Sequence, residues 1–335
     1  MTRLRHVLPC TLCLAFLPSG PATQANPARS DSTIAFASKV TGDWEIYLVG
    51  PEGREPTRLT TRHGQDRFPV WSPDGTHLAF GSQVGEEWEL WVMNADGTAP
   101  RRIAPRIVAK SPRVWSPDGR RIAFAAGQRD SSRICVVNLD GSGLTALTAE
   151  DTDALNPDWS PDGRRVAFTL IRDGDAEIVI HDFDSGTQTV LTGDAAADND
   201  PAWSPDGQLL AFTSSRDVNR EIYLVNPDGT GLRRLTDSPE GEFIPAWSPD
   251  GRTLAVQVVR GDNYDIDLID VATGRKTQLA ASPEYDGLFA WSPDGAHLAF
   301  ISSRDGFDAL YVASPLGTSL TRLTSAASLD PDWAP

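Results

Sequence analysis

Several features that mark common protein classes are scarce or missing in this 335-residue sequence. Cysteine occurs three times, and Cys10 and Cys13 lie in the first 25 residues, so only Cys135 remains beyond them and no internal disulfide can form there. We expect Cys135, in an apolar strand, to be a buried and inert thiol. No stretch reaches the roughly eighteen apolar residues of a membrane-spanning helix. A Gly-x-Ser-x-Gly nucleophile elbow is also missing, which argues against an attached serine hydrolase domain.

Positive charge and histidine are limited as well. The formal net charge is −16, which argues against nucleic acid and anionic membranes as partners and fits a cation or a basic partner. Outside the first 25 residues, the histidines are His63, His77, His181 and His297, and no two have the spacing of a zinc site.

The first 25 residues resemble a secretory signal. Arg3 and Arg5 give a basic start, an apolar core follows over residues 7–17, and small residues surround Ala25. This pattern predicts a periplasmic or secreted protein. Residues 26–32 form a short polar segment before the first strand pattern.

The rest of the chain is organised by a repeat of Trp-Ser-Pro-Asp-Gly at a constant interval of 44 residues. Proline presets φ for a turn and Asp-Gly completes it, so each copy predicts a tight connection between two strands. A fixed period of this length indicates a chain of identical structural units that bury their apolar faces against one another. The copies begin at Trp71, Trp115, Trp159, Trp203, Trp247 and Trp291.

Each unit contains the pattern of four short strands. An apolar triplet such as Leu78-Ala79-Phe80 follows the turn, and aliphatic residues recur 19 and 32 positions after each tryptophan, as at Ile222 and Leu235. Four strands per 44 residues without a helical period are typical of a β-propeller blade.

The same register predicts how the ring closes. Phe36, Ile46 and Leu59 fit the second, third and fourth strands of a unit whose first strand is missing, and Trp333 at the chain end supplies it. We therefore predict an all-β, seven-bladed propeller over residues 33–335, with the C-terminal strand completing the first blade; six blades is the alternative count. The motif tryptophans, Trp333 included, are interpreted as packing residues between blades.

The Trp-Ser-Pro-Asp-Gly repeats resemble the TolB-like propellers, whose repeat is called PD40. The resemblance covers nearly all of residues 33–335 and implies a monomeric binding module, with an envelope lipoprotein as a partner. TolB itself is expected to have six blades behind an N-terminal domain. This chain has no room for that domain and a count of seven, so the resemblance is to a stand-alone TolB-like propeller.

Acidic residues recur in the loop before each innermost strand. Five positions before the tryptophan stand Asp66, Lys110, Ala154, Asp198, Glu242 and Asp286, and Asp200 lies close by. Equivalent positions of a radial repeat surround one mouth of the channel, so we predict a ligand-binding ring of Asp66, Asp198, Asp200, Glu242 and Asp286. Such a ring suits a Lys or Arg side chain or Ca²⁺, the one candidate cofactor. The alternative is that these acids only form turns.

The acidic channel mouth is compatible with two main functions. The first is a non-catalytic module that binds a protein or peptide, with a cation at the acidic mouth. The alternative is a glycan lyase or hydrolase in which His63 and the channel carboxylates act as acid and base. Storage or sensing of a metal is a third hypothesis. No catalytic residue is assigned beyond this alternative.

Overall fold

The computed structural model describes residues 33–335 except 54, 110, 129–130, 151 and 194–195. The predicted signal segment and Lys110 therefore lie outside the described residues. The described chain folds into seven four-stranded antiparallel sheets and contains no helix, so none of it forms a helix that could cross a membrane. The all-β class and the count of seven blades are confirmed.

The strands are given blade by blade, from blade 1, which contains both ends of the described chain, to blade 7. The innermost strands are β28 (Ser328–Trp333), β4 (Asp66–Trp71), β8 (Arg113–Trp115), β12 (Asp153–Trp159), β16 (Asp198–Trp203), β20 (Gly241–Trp247) and β24 (Asp286–Trp291). The second strands are β1 (Ile34–Ser38), β5 (His77–Val84), β9 (Arg121–Gln128), β13 (Arg165–Arg172), β17 (Leu210–Ser214), β21 (Thr253–Arg260) and β25 (Leu298–Ser302).

The two remaining strands of each blade continue outward from the channel. The third strands are β2 (Glu45–Val49), β6 (Glu87–Asn94), β10 (Ser131–Asn138), β14 (Asp175–Asp182), β18 (Glu221–Val225), β22 (Asn263–Asp270) and β26 (Ala309–Ala313). The outermost are β3 (Thr57–Arg58), β7 (Arg101–Ala104), β11 (Thr145–Ala146), β15 (Gln188–Val190), β19 (Arg233–Arg234), β23 (Lys276–Leu279) and β27 (Leu320–Arg322).

The predicted closure of the ring is confirmed in the pairing of β28 with β1. Trp333 lies opposite Ile34, and its indole packs in a buried cluster with Phe36 and Tyr47 of blade 1. The same cluster includes Leu310 of blade 7, so the chain end also seals the boundary between the last and first blades. By pairing with β1, the chain end covers the edge that β1 would otherwise leave unpaired.

Each Ser-Pro-Asp-Gly turn is held by its own side chains. In the first copy, the Ser72 hydroxyl donates to Asp74 at 2.7 Å, and the backbone N–H of Thr76 donates to the same carboxylate oxygen. Gly75 has φ of 65°, the left-handed conformation that glycine adopts most easily. Hydrogen bonding, chiefly from Ser72, lowers the pKa of Asp74 to about 2. This aspartate forms the turn that carries the chain from the first strand to the second.

The tryptophans connect neighbouring blades. Trp115 Nε1 donates to the Val70 carbonyl of the preceding blade at 3.1 Å, and Trp333 Nε1 donates to Ala290 O at 3.0 Å. The indole therefore fills the space between two sheets and also satisfies its polar atom there. Between the sheets lie the phenylalanines of the second strands, at most 1% exposed: Phe36, Phe80, Phe124, Phe168, Phe212 and Phe300.

Candidate functional site

One face of the propeller gathers two sets of loops around the channel. The strands of a blade alternate in direction, so the connections that enter the innermost strand and those that join the second strand to the third lie on the same side. We call this side the upper face. The Ser-Pro-Asp-Gly turns lie on the opposite side.

A β-bulge near the start of the innermost strand recurs around the ring. Three positions before the tryptophan, the backbone takes a left-handed conformation in six blades, and the register against the second strand shifts there. A bulge redirects its side chain, and the innermost strand borders the channel, so we call these six residues the channel ring. They are Phe68 (φ 57°), Asn156 (54°), Asp200 (56°), Ile244 (54°), Leu288 (49°) and Asp330 (56°).

Two of the six channel-ring residues are apolar and exposed. Ile244 and Leu288 lie in adjacent blades 6 and 7, and their exposed fractions are 46% and 40%. Tyr264, which is 41% exposed, lies near them, with its ring 5.9 Å from Phe243 and 6.0 Å from Tyr285. We call Ile244, Leu288 and Tyr264 the apolar arc.

Three channel-ring residues, in blades 1, 4 and 5, are polar and have side-chain hydrogen-bond partners. Asn156 Nδ2 donates to Asp200 Oδ1 at 2.6 Å across blades 4 and 5. Asp330 accepts from Arg67 Nε at 3.1 Å and lies 3.0 Å from Arg67 Nη2. Burial raises the pKa of Asp200 and of Asp330, and Arg67 acts in the opposite direction on Asp330. These carboxylates already have partners from neighbouring blades.

A buried arginine of blade 3 supports the channel ring at blade 2. Arg113 is 3% exposed and donates to the backbone carbonyls of Phe68 at 3.0 Å and Ala109 at 2.9 Å. Desolvation lowers the pKa of this guanidinium to about 10, while Asp330 acts in the opposite direction. Arg113 thus fixes the loop before its own strand to the bulge of blade 2.

Four of the five predicted ligand-binding acids are buried between strands. Asp66, Asp198, Glu242 and Asp286 are at most 1% exposed. Asp198 pairs with Arg216 at 2.8 Å, Asp286 pairs with Arg304 at 3.0 Å, and Glu242 pairs with Lys276. Burial raises the pKa of Asp198 and Asp286, and nearby hydroxyls and the paired arginines act in the opposite direction. Only Asp200 belongs to the channel ring, and a ligand-binding role for all five stays a prediction.

The residues needed for the alternative chemistry are not brought together. His63 is exposed, whereas Asp66 is buried and has a pKa that burial raises. No described residue places a carboxylate in hydrogen-bond contact with His63. Within the described ranges, no three His, Cys, Asp or Glu side chains converge in a way that could hold a metal ion.

Comparison with known proteins identifies the repeat. The profile of PD40, the TolB beta propeller domain, matches residues 20–154, 86–244 and 237–335. The chain belongs to this family. No curated protein sequence matches it.

Solved structures of this PD40 chain's relatives share its fold. TolB from Acinetobacter baumannii is 20% identical, with 90% of this chain and 82% of that chain covered and a TM-score of 0.59. A putative TolB from Agrobacterium tumefaciens is 25% identical over 78% of this chain and 94% of that chain, with a TM-score of 0.56. An oligogalacturonate lyase in complex with manganese is 19% identical over 85% and 86%, with a TM-score of 0.71.

The upper face of this PD40 propeller exposes further apolar side chains besides the apolar arc. Val40, Val84 and Val218 lie at or beside the connections between second and third strands, and all three are exposed. With the apolar arc, they account for six of the eleven large exposed apolar side chains in the described chain.

Sequence reasoning missed the channel ring. A signal exists in three blades, where the position holds Asn156, Asp200 or Asp330, because Asn and Asp tolerate the left-handed conformation best after glycine. Phe68, Ile244 and Leu288 carry no such signal. Their conformation follows from the bulge that their neighbours impose.

Proposed function

We propose that this chain is a non-catalytic binding module that holds a protein or peptide at the upper face, centred on the channel mouth. The observation that carries the proposal is the pair Ile244 and Leu288. Both are bulky, both have positive φ, and both are exposed to solvent. Local backbone energetics would favour Asn or Asp here, as the same position shows in blades 1, 4 and 5.

The cost of these two residues supports a role in binding. A left-handed conformation costs a non-glycine residue about 1–2 kcal/mol, and β-branched Ile244 is an outlier of the strongest kind. Because both side chains are exposed, neither offsets the free-energy cost of its left-handed backbone by packing in the core. Strained, exposed and apolar residues at one mouth fit a surface that is covered when a partner binds.

The partner that fits this mouth has an apolar segment. The apolar arc would cover it on the side of blades 6 and 7, while Asn156 and Asp200 offer hydrogen bonds on the side of blades 4 and 5. Family membership supports an envelope partner, for which a lipoprotein is our candidate, and a periplasmic or secreted location.

The alternative of a glycan lyase or hydrolase has no matching observation in its favour. His63 and Asp66 share no hydrogen bond, and similarity to the lyase structure at 19% identity supports the fold alone. Catalysis by these residues stays a prediction that a turnover assay on oligosaccharides with His63→Ala would test.

The proposal is tested by capture from an envelope extract with the full chain immobilised, with and without calcium. We expect an Ile244→Asn/Leu288→Asn variant to retain less than a tenth of the captured partner, because apolar anchors at an interface centre carry most of the binding energy. The matched control is Leu144→Asn, since Leu144 is 50% exposed but lies beside outer strand β11, away from the mouth. Equal capture by all three proteins, or no partner above background, would contradict the proposal.

A further inference from the structure

A cavity of about 820 Å³ opens on the upper face beside the channel ring, between blades 2 and 3. Trp88 forms one wall, Ile107 and Leu155 supply further apolar surface, and Asn156 of the channel ring borders it. The volume falls within the range of about 300–1,000 Å³ typical of ligand pockets. This cavity is separate from the apolar arc, which lies in blades 6 and 7.

The position of the Trp88 indole is built into the sheet beneath it. A Cβ added to Gly81 would lie 3.2 Å from Trp88 Cε3 and 3.5 Å from Ile107 Cδ1, so glycine lets the indole lie close to the strand. Phe68 supports the indole from the channel ring, with the two ring centroids 5.7 Å apart at 60°. A half-buried, well-supported indole beside an open cavity is suited to pack against an apolar group.

Carboxylates dominate the charged groups around this cavity and its neighbour. Glu86 and Glu87 are exposed at the rim, and Glu87 is paired with Arg106 at 3.0 Å. A second cavity of about 590 Å³ shares Ser131 with the first and is bordered by Asp153, Arg172 and Asp173. Among the described residues that line the two cavities, there are four carboxylates and two guanidinium groups, in a chain of net charge −16.

From this arrangement we infer that the two cavities form one binding groove for a basic peptide segment. An aromatic or aliphatic side chain of the segment packs against Trp88 in the larger cavity, and a neighbouring Lys or Arg is attracted by Asp153 and Asp173 in the smaller one. Charge complementarity selects the basic segment over an acidic one. The inference rests on the proposed function, since it names the chemistry of the bound segment and a second contact area for it.

Phage-displayed random 12-residue peptides, selected on the full chain and resynthesised with a fluorescein label, test the groove. We expect the enriched sequences to combine an apolar side chain with Lys or Arg. Trp88→Ala should weaken their binding at least tenfold, because it removes the central anchor. The matched control is Trp44→Ala, since Trp44 occupies the equivalent position of blade 1 and borders neither cavity. Thermal melts of both variants establish that they fold.

A second variant tests the acidic end without disturbing the apolar wall. Asp173 is exposed with φ of 53°, so Asp173→Asn keeps a residue that tolerates this backbone and removes only the charge. We expect binding to weaken about two- to fivefold, as for an exposed ion pair, and to show no change for a peptide whose Lys or Arg is replaced by Gln.

The possible results separate this inference from the proposed function. Enriched peptides that lose binding in Ile244→Asn but not in Trp88→Ala would overturn the groove and leave the proposed function standing. Failure to enrich any peptide would contradict both. Enrichment of acidic peptides, or a neutral oligosaccharide such as cellotriose whose binding requires Trp88, would also overturn the inference.

Discussion

The carboxylate of Asp332 accepts a hydrogen bond from the backbone N–H of Trp71 at 2.7 Å and thereby joins the innermost strands of blades 1 and 2. Blades 4 and 5 repeat this contact between Asp158 and Trp203, also at 2.7 Å. Burial raises the pKa of Asp332 to about 7 and that of Asp158 to about 6, and the backbone hydrogen bonds act in the opposite direction.

This contact predicts a stability that depends on pH. Because the folded-state pKa of Asp332 is raised above its ordinary value, its stabilising contribution is full below about pH 4 and is lost as the pH rises towards 7. Asp332→Asn keeps the acceptor and removes the charge, so we expect it to raise the free energy of unfolding at pH 8 by up to roughly 4 kcal/mol, at about 1.4 kcal/mol per unit of pKa. Melting curves from pH 5 to 8 measure this. Asp140→Asn, an exposed turn position, is the control, and an unchanged pH slope in Asp332→Asn would contradict the assignment.

The closing strand predicts a large effect of Trp333→Ala. The indole is 5% exposed, packs with Phe36 and donates to Ala290 O, so its removal leaves a cavity between blades 7 and 1. We expect the free energy of unfolding in urea to fall by about 3–5 kcal/mol. Leu316→Ala should change it little, because Leu316 is 86% exposed. A loss below about 1 kcal/mol would mean that the ring does not depend on this strand.

The left-handed positions predict opposite effects of exchanging residues between blades. Ile244→Asn should raise the free energy of unfolding by about 1 kcal/mol, since Asn relieves the strain that isoleucine experiences at φ 54°. Asp200→Ile should lower it, because it introduces the same strain and removes the hydrogen bond from Asn156. Urea denaturation measures both, and a destabilised Ile244→Asn would contradict the argument that this residue is retained for binding.

The buried pair of Asp198 and Arg216 predicts that substituting the arginine destabilises the fold more than substituting the aspartate. Arg216→Ala leaves a buried carboxylate uncompensated and should destabilise the fold by about 3–5 kcal/mol, whereas Asp198→Asn should cost less.

Calcium titrations on the same proteins test the predicted cation role of the acids. A rise in melting temperature with calcium that is lost in Asp198→Asn would support that role, and the absence of any rise would contradict it.

Much of the fold could be predicted because the Trp-Ser-Pro-Asp-Gly motif recurs six times in register. The spacing from Trp71 to Trp291 sets the blade length, and the register of Phe36 with Trp333 sets the closure. The candidate site could be predicted less well from the sequence. Asp198 and Asp286 share the position expected at the mouth, but Arg216 and Arg304 reach back from the next loop and hold them inside the blade. Such pairing depends on loop conformations that no periodicity encodes.

The sequence by itself determined the number of blades, their four strands and the way the ends meet, because turn chemistry and apolar periodicity act locally and recur in register. Only the tertiary structure decided which side chains face the channel. In six of the seven blades a bulge three residues before the tryptophan redirects one side chain, and in blades 6 and 7 it leaves Ile244 and Leu288 exposed at the mouth.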